Sequence, residues 1–237
     1  MATSILLIEI EMKKKFIKNN TIYHGIIIII IILALDQFSK FYIKLNYPIT
    51  VYSNESIVDW GFFKILFVEN KGMAMGTKLN DIIPFLPENI SKLLLTFFRL
   101  IAIGGIGYWL QSLYKNKSSI YLKWSLCLIF AGALGNIIDS VFYGLIFSNS
   151  YGQIASFLPD QGYAPIFFGN VVDMIQFPLV EWTWPRWIPF IGGEDYLFFQ
   201  YIFNIADTSI SIGVTILIFF NKTVFNQNEK IDSGVTA

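Results

Sequence analysis

The chain has 237 residues, 54% hydrophobic and 17% aromatic, and its charged residues cancel to a formal net charge of zero. With a mean hydropathy of +0.56 it is too apolar for an ordinary soluble domain and carries no basic field for nucleic acid, so it reads as one integral membrane domain, 1–237. One cysteine, Cys127, excludes an internal disulfide and a thiolate metal site, and one histidine, His24, leaves Asp and Glu to carry the chemistry.

In chain order, Met12 ahead of Lys13, Lys14 and Lys15 reads as a natural start, so the first eleven residues are either a disordered extension or a misassigned start, and residues 1–20 are expected to be a flexible cytoplasmic lead. From Tyr23 to about Tyr42, with Ile26 to Ile32 unbroken, the chain is long enough to cross a hydrocarbon core of about 30 Å. Lysines ahead of an apolar stretch also fit a signal peptide, but Asp36-Gln37-Phe38-Ser39-Lys40 stands where a small-residue cleavage site would be. Asp36 and Lys40 are four apart on one helical face and can pair; the plain reading is an ion pair at a helix end, with Lys40 snorkelling.

Between Asn46 and Asn89 the runs Val51-Tyr52, Ile57-Val58 and Phe62 to Val68 alternate with turn residues, which predicts a small strand-rich layer outside the membrane. Asn70-Lys71-Gly72-Met73-Ala74 reads locally as its turn. A second span is predicted from Ser91 to Leu113, with Gly104, Gly105 and Gly107 as a small-residue packing surface and Arg99 as an embedded charge. A third runs from Trp124 to Tyr143. Within it Gly132 and Gly135 permit close helix approach, and Asn136 and Asp139 stand three apart.

Residues 144–197 form a long polar-aromatic segment whose compact apolar stretch, Val171 to Ile175, carries Asp173. Phe198 to Phe220 predicts the fourth span and the tail from Asn221 is flexible. In that span Asn204 and Asp207 repeat the three-residue spacing and share a helical face; an interhelical hydrogen-bond patch is the structural reading, and a functional acid the other.

Lysines precede span one, lie between spans two and three (Lys115, Lys117, Lys123) and follow span four. The positive-inside rule then places both termini in the cytoplasm and segments 46–89 and 144–197 outside. At about 1.5 Å per residue, Asp36 lies roughly 20 Å up span one, Asp139 roughly 22 Å up span three, and Asp207 roughly 13 Å down span four. All three fall in the outer half of the membrane, within reach of Asp173. Close carboxylates that cannot both ionise cheaply suit a shared proton and the activation of water.

Five stretches match, in order, the motifs of the lipoprotein signal peptidases, the type II signal peptidases: Asp36-x-x-Ser39-Lys40, Asn70-x-Gly72-x-Ala74, Gly132-Ala133-x-Gly135-Asn136-x-x-Asp139, Val171-Val172-Asp173, and Phe203-Asn204-x-Ala206-Asp207. Together they span residues 22 to 220. The resemblance implies an all-α membrane aspartic endopeptidase of four spans with a small outer strand layer, in the bacterial inner membrane, cutting a prolipoprotein just before its diacylglyceryl-modified cysteine. It assigns catalysis to Asp173 and Asp207 and supporting roles to Asp36, Lys40, Asn70, Gly72, Asn136, Asp139, Asn204 and Ala206. It implies no metal and no cofactor, and a monomer whose partners are lipid-modified prolipoproteins and membrane lipid.

Three departures stand out. Ser140 occupies the position where the family usually carries Arg, so any ion pair made by that Arg is either missing or replaced, with Arg186 as the candidate for replacement. Met75 replaces a Phe, and the segments flanking Asp173 are long. Two rival chemistries are a Ser-Lys dyad of Lys40 with Ser39 or Ser209, and a small proton- or ion-coupled carrier using its membrane acids. The carrier reading lacks the internal repeats and broken spans that such proteins show.

Overall fold

The computed structural model describes residues 2–50, 55–71, 83, 85–116 and 118–221, with side chains from residue 22 onward except those of 197 and 198. Helix α1 (Ala2–Asn46) takes residues 2–20, expected to be part of a flexible lead, into one continuous helix. Strands β1 (Val58–Asp59) and β2 (Lys64–Asn70) follow, then α2 (Glu88–Lys115) and α3 (Ile120–Ile146). After these come β3 (Val171–Gln176), β4 (Val180–Thr183), β5 (Asp195–Phe198), β6 (Ile202–Phe203) and α4 (Ile205–Phe219). Among the described residues three helices are long and apolar enough to cross a membrane, namely Ile22–Asn46 of α1, α2 and α3; α4 is a shorter apolar helix.

The fourth apolar run differs from the expectation at its start. Residues 198–204 are not helical: Asp195–Phe198 pairs with β4, and Ile202–Phe203 pairs with β3. An apolar, aromatic run has no period of its own to separate strand from helix, and aromatic residues fit a pleated surface, so strand pairing wins there.

The chain divides into two compact units. One comprises Met1–Leu35, Leu100–Gly135 and Ile205–Ala237, and is helical where described. In it α4 packs on α3 through small residues. A Cβ on Gly132 would run into the Ala206 carbonyl oxygen, one on Gly213 would meet the Ser125 carbonyl oxygen, and Ser209 Oγ donates to Leu128 O at 2.8 Å. Ala206, Ser209 and Gly213 recur at helical spacing and are the buried residues of α4, the pattern by which helices pack closely in lipid. Gly104 and Gly105, expected to be a packing surface, instead face open space, and only Gly107 of that set meets a neighbour, Phe130.

The other unit comprises Asp36–Arg99 and Asn136–Asn204. Its antiparallel sheet runs β1-β2-β3-β6, and β4 and β5 form a separate ribbon. Ile43, Ile49, Phe67, Tyr143, Phe147, Val172 and Met174 make its core. Within α3 the turn Asp139–Tyr143 is π-helical, which presents its carbonyls outward. The loop that follows satisfies them: Gly169 N–H donates to Ser140 O (2.9 Å), Phe167 N–H to Val141 O (3.0 Å) and Ala164 N–H to Gly144 O (3.0 Å). Gly169 is required for that approach, since a Cβ there would strike the Asp139 carbonyl oxygen.

Candidate active site

Side chains alternate along a strand, and residues directly opposed across an antiparallel pair share a face. Val68 opposes Asp173, Asn70 opposes Val171 and Glu69 opposes Val172. One face of the β2–β3 pair therefore carries Asn70 with Asp173, and the other carries Glu69. A buried polar group stands on each.

On the first face the Asp173 carboxylate is held at both oxygens. Asn204 Nδ2 donates to Oδ1 at 2.8 Å and Asn70 Nδ2 donates to Oδ2 at 3.1 Å. Asn204 Nδ2 also lies 3.1 Å from Asn136 Oδ1 and 3.2 Å from the Val172 carbonyl oxygen. Asn136 Oδ1 in turn accepts from Lys40 Nζ at 3.1 Å. Lys40 completes the group with ion pairs to Asp36 and Asp139, each 2.7 Å. Gln37 Nε2 donates to Asp139 Oδ1 at 2.9 Å, and Tyr143 Oη donates to Gln37 Oε1 at 3.1 Å.

Asp36, Lys40, Asn70, Asn136, Asp139, Asp173 and Asn204 are thus one connected network within one unit. Asp207 belongs to the other unit, in the first turn of α4, where a carboxylate is favoured by the positive end of the helix dipole. Two expectations change. Lys40 does not snorkel: it is fully buried, with two carboxylates to neutralise its charge. Asn204 precedes α4 and is not on a helical face with Asp207, and Asp207 stands at the head of that helix, not roughly 13 Å along it. Ala206, also expected in the site, is fully buried with its carbonyl against Gly132. Gly72, Ala74 and Met75 lie outside the described residues, as do Val51, Tyr52, Asn54 and Lys117.

Ser140 meets a guanidinium from elsewhere in the chain. Its Oγ accepts from Arg99 Nη1 at 3.1 Å and donates to Asn136 O at 2.9 Å. The guanidinium comes from α2, not from Arg186, which is exposed near the tip of the β4–β5 ribbon.

On the second face Glu69 pairs with Lys44, accepts from Ser150 Oγ at 2.9 Å and from Asn170 Nδ2 at 2.8 Å. Lys44 Nζ stacks over Tyr163 and Phe147, 5.0 and 5.1 Å from their ring centroids. Burial, and then the Glu69 charge, push the Tyr163 phenol up, so it remains a neutral hydroxyl that accepts from Asn170 N–H at 2.7 Å. A polar cleft of about 550 Å³ opens beside this group, with Lys92, Asn149, Tyr151 and Tyr163 among its lining residues. Sequence reading passed over Gln37, Lys44 and Glu69. The signal was there for Lys44: Asp36, Lys40 and Lys44 follow each other at four-residue spacing on one helical face.

Among the described residues no group of three or more His, Cys, Asp or Glu is placed to hold a metal ion. The chain is similar in sequence and fold to known proteins. The family model described as signal peptidase (SPase) II matches residues 28–222. A lipoprotein signal peptidase of Porphyromonas gingivalis is 44% identical over 200 residues, covering 83% of this chain and 82% of that protein. One of Amoebophilus asiaticus is 31% identical over 208 residues, covering 86% and 79%. A bacterial membrane enzyme solved by the in meso method superposes with a TM-score of 0.50 at 25% identity, over 86% of this chain and 92% of that one. With buried carboxylates on apolar helices and a family match over most of its length, this chain belongs to the signal peptidase II family, the membrane aspartic endopeptidases that process lipoproteins.

Proposed function

We propose that Asp173 and Asp207 are the catalytic pair, and that the enzyme cuts a diacylglyceryl-modified prolipoprotein just before its lipid-bearing cysteine. The observation that carries this is the clamp on Asp173. Two asparagine amides fix both of its oxygens, and one of them, Asn204, lies three residues before Asp207 along the chain. A carboxylate oriented in this way is suited to meet a second one around a water. One member takes the water's proton as the oxygen attacks the scissile carbonyl, and the other protonates the departing amide nitrogen.

In this reading α4 is a fourth span, both termini are cytoplasmic, and the sheet and the ribbon lie on the outer side, as the lysine placement requires. Asn136, Asp139, Asp36 and Lys40 support the Asp173 clamp through Asn204. Substrate lipid lies against the apolar helix faces, and the enzyme works as a monomer.

The test is cleavage of a lipid-modified prolipoprotein by equal amounts of folded protein in detergent, with a chelator present. Asp173→Asn and Asp207→Asn each abolish cleavage while the protein still accumulates. Near-normal cleavage by either variant would overturn the assignment.

A further inference from the structure

The β4–β5 ribbon is unlike the rest of the unit that holds it. Its strands pair only with each other, with Val180 opposite Phe198, Trp182 opposite Tyr196 and Thr183 opposite Asp195. Alternation then divides it into two faces. One carries Val180, Trp182, Trp184 and Tyr196, whose three rings pack on one another at centroid distances of 4.8 to 6.1 Å. The other carries Glu181, Thr183 and Asp195, with Thr183 Oγ1 donating to Asp195 Oδ1 at 2.6 Å.

The tip continues the apolar character with Pro185, Trp187, Ile188, Pro189, Phe190 and Ile191; Arg186 is its one cation, and Glu194 stands where the chain returns to β5. Trp187 is 81% exposed and Phe190 fully so. A two-stranded ribbon is marginal in water unless something covers its apolar face. Phe190 also sits in the left-handed region, at φ 71°, where a bulky side chain is strained.

We propose that this ribbon is an interfacial anchor, its aromatic face and tip seated among the headgroups and upper acyl chains of the bilayer. The bilayer is favoured as occupant by where the ribbon is rooted. It leaves the sheet at the end of β3 and returns at β6; these two strands pair at Ile175–Phe203 and Gln176–Ile202, and the residue after Asn204 opens the apolar helix α4. Both feet of the ribbon therefore stand where the chain passes into an apolar helix. Trp and Tyr together with a lone Arg, above a polar face of Glu181 and Asp195, match the chemistry of the membrane–water boundary, where an aromatic ring is buried and its polar edge stays wet. The proposal needs only that the chain is membrane-embedded; it does not depend on which acids are catalytic.

The variants Phe190→Cys and Glu181→Cys, each carrying a nitroxide, test it in the full-length protein reconstituted into vesicles of phosphatidylethanolamine and phosphatidylglycerol. Cys127 is fully buried, so unsubstituted protein serves as the control for stray label. Phe190 is fully exposed, so the substitution leaves the packing intact. The expected result is that the label at 190 collides several-fold more with oxygen than with a water-soluble nickel complex, and that the label at 181 shows the reverse order. A label at 190 as accessible to nickel as the label at 181 overturns the proposal. So does protection at 190 that arises only on adding prolipoprotein, which would make the substrate the occupant, or spin–spin broadening, which would make it a second copy. Because both labelled proteins keep Asp173 and Asp207, these results stand apart from the outcome of the catalytic variants.

Discussion

Asn204 Nδ2 lies 2.8 Å from Asp173 Oδ1 and 3.1 Å from Asn136 Oδ1, so a single side-chain amide joins β3 to the third motif of the sequence. Replacing Asn204 with Ala removes a hydrogen bond to a charged group, worth about 1.5–3 kcal/mol. If the carboxylate must be held for each turnover, kcat should fall roughly 10- to 150-fold with KM little changed. Steady-state cleavage of a lipid-modified prolipoprotein reads that split, and an unchanged kcat would show that Asn204 only supports the fold.

Lys40 neutralises two buried carboxylates at once. Lys40→Met leaves Asp36 and Asp139 facing each other without a counter-charge, a loss of about 3–5 kcal/mol. Adding Asp139→Asn to that variant removes part of the repulsion, so the double variant should be more stable than Lys40→Met alone. Thermal unfolding in detergent orders the three proteins. A double variant less stable than the single one would mean that Asp139 stabilises through its bond from Gln37 more than through Lys40.

Arg99 and Ser140 are a guanidinium and its acceptor. Ser140→Arg, which restores the residue usual in the family, brings a second guanidinium against the first and should lower both folded yield and cleavage. Combined with Arg99→Ser the cost should be largely recovered, because the charge has then moved across one contact. Cleavage and yield of the two variants decide it; a gain of activity in Ser140→Arg alone would refute the pairing.

Two carboxylates sharing a proton titrate as a pair, so cleavage rate plotted against pH should be bell-shaped, with both limbs belonging to the pair. For the same reason Asp173→Asn combined with Asp207→Asn should cost little more than either alone, since one member without the other has no partner in the reaction. Multiplying penalties would argue for two independent roles.

Much of this arrangement is legible from spacing. The Asp36–Lys40 pair, the strand in the Phe62 to Val68 run and the close approach at Gly132 follow from helix and strand periods applied to local sequence. What is not legible has two physical sources. Tertiary pairing converts an apolar run to strand when a partner edge is available, so Phe198, Ile202 and Phe203 pair where a helix was expected, and Asn204 becomes a junction residue. Partners far apart in sequence carry no local signal: nothing near Ser140 announces Arg99, and nothing near Lys44 announces Glu69, although each pair closes a buried polar group.

The π turn at Asp139–Tyr143 is, in terms of chain length, a one-residue insertion absorbed inside an apolar helix. Deleting one residue there, for instance the exposed Phe142, would restore ordinary winding and leave the turns beyond it facing nearly as they do now, because the wider turn takes up the extra residue. Tyr143 and Phe147 would keep their side of the helix and Asn136 its own, but the carbonyls now met by residues 164–169 would be drawn back into the helix's own hydrogen-bond ladder. Helix and loop are therefore matched in length: evolution can shorten one only by rewriting the other, and a homologous chain with a regular helix here must close its site with a different connection.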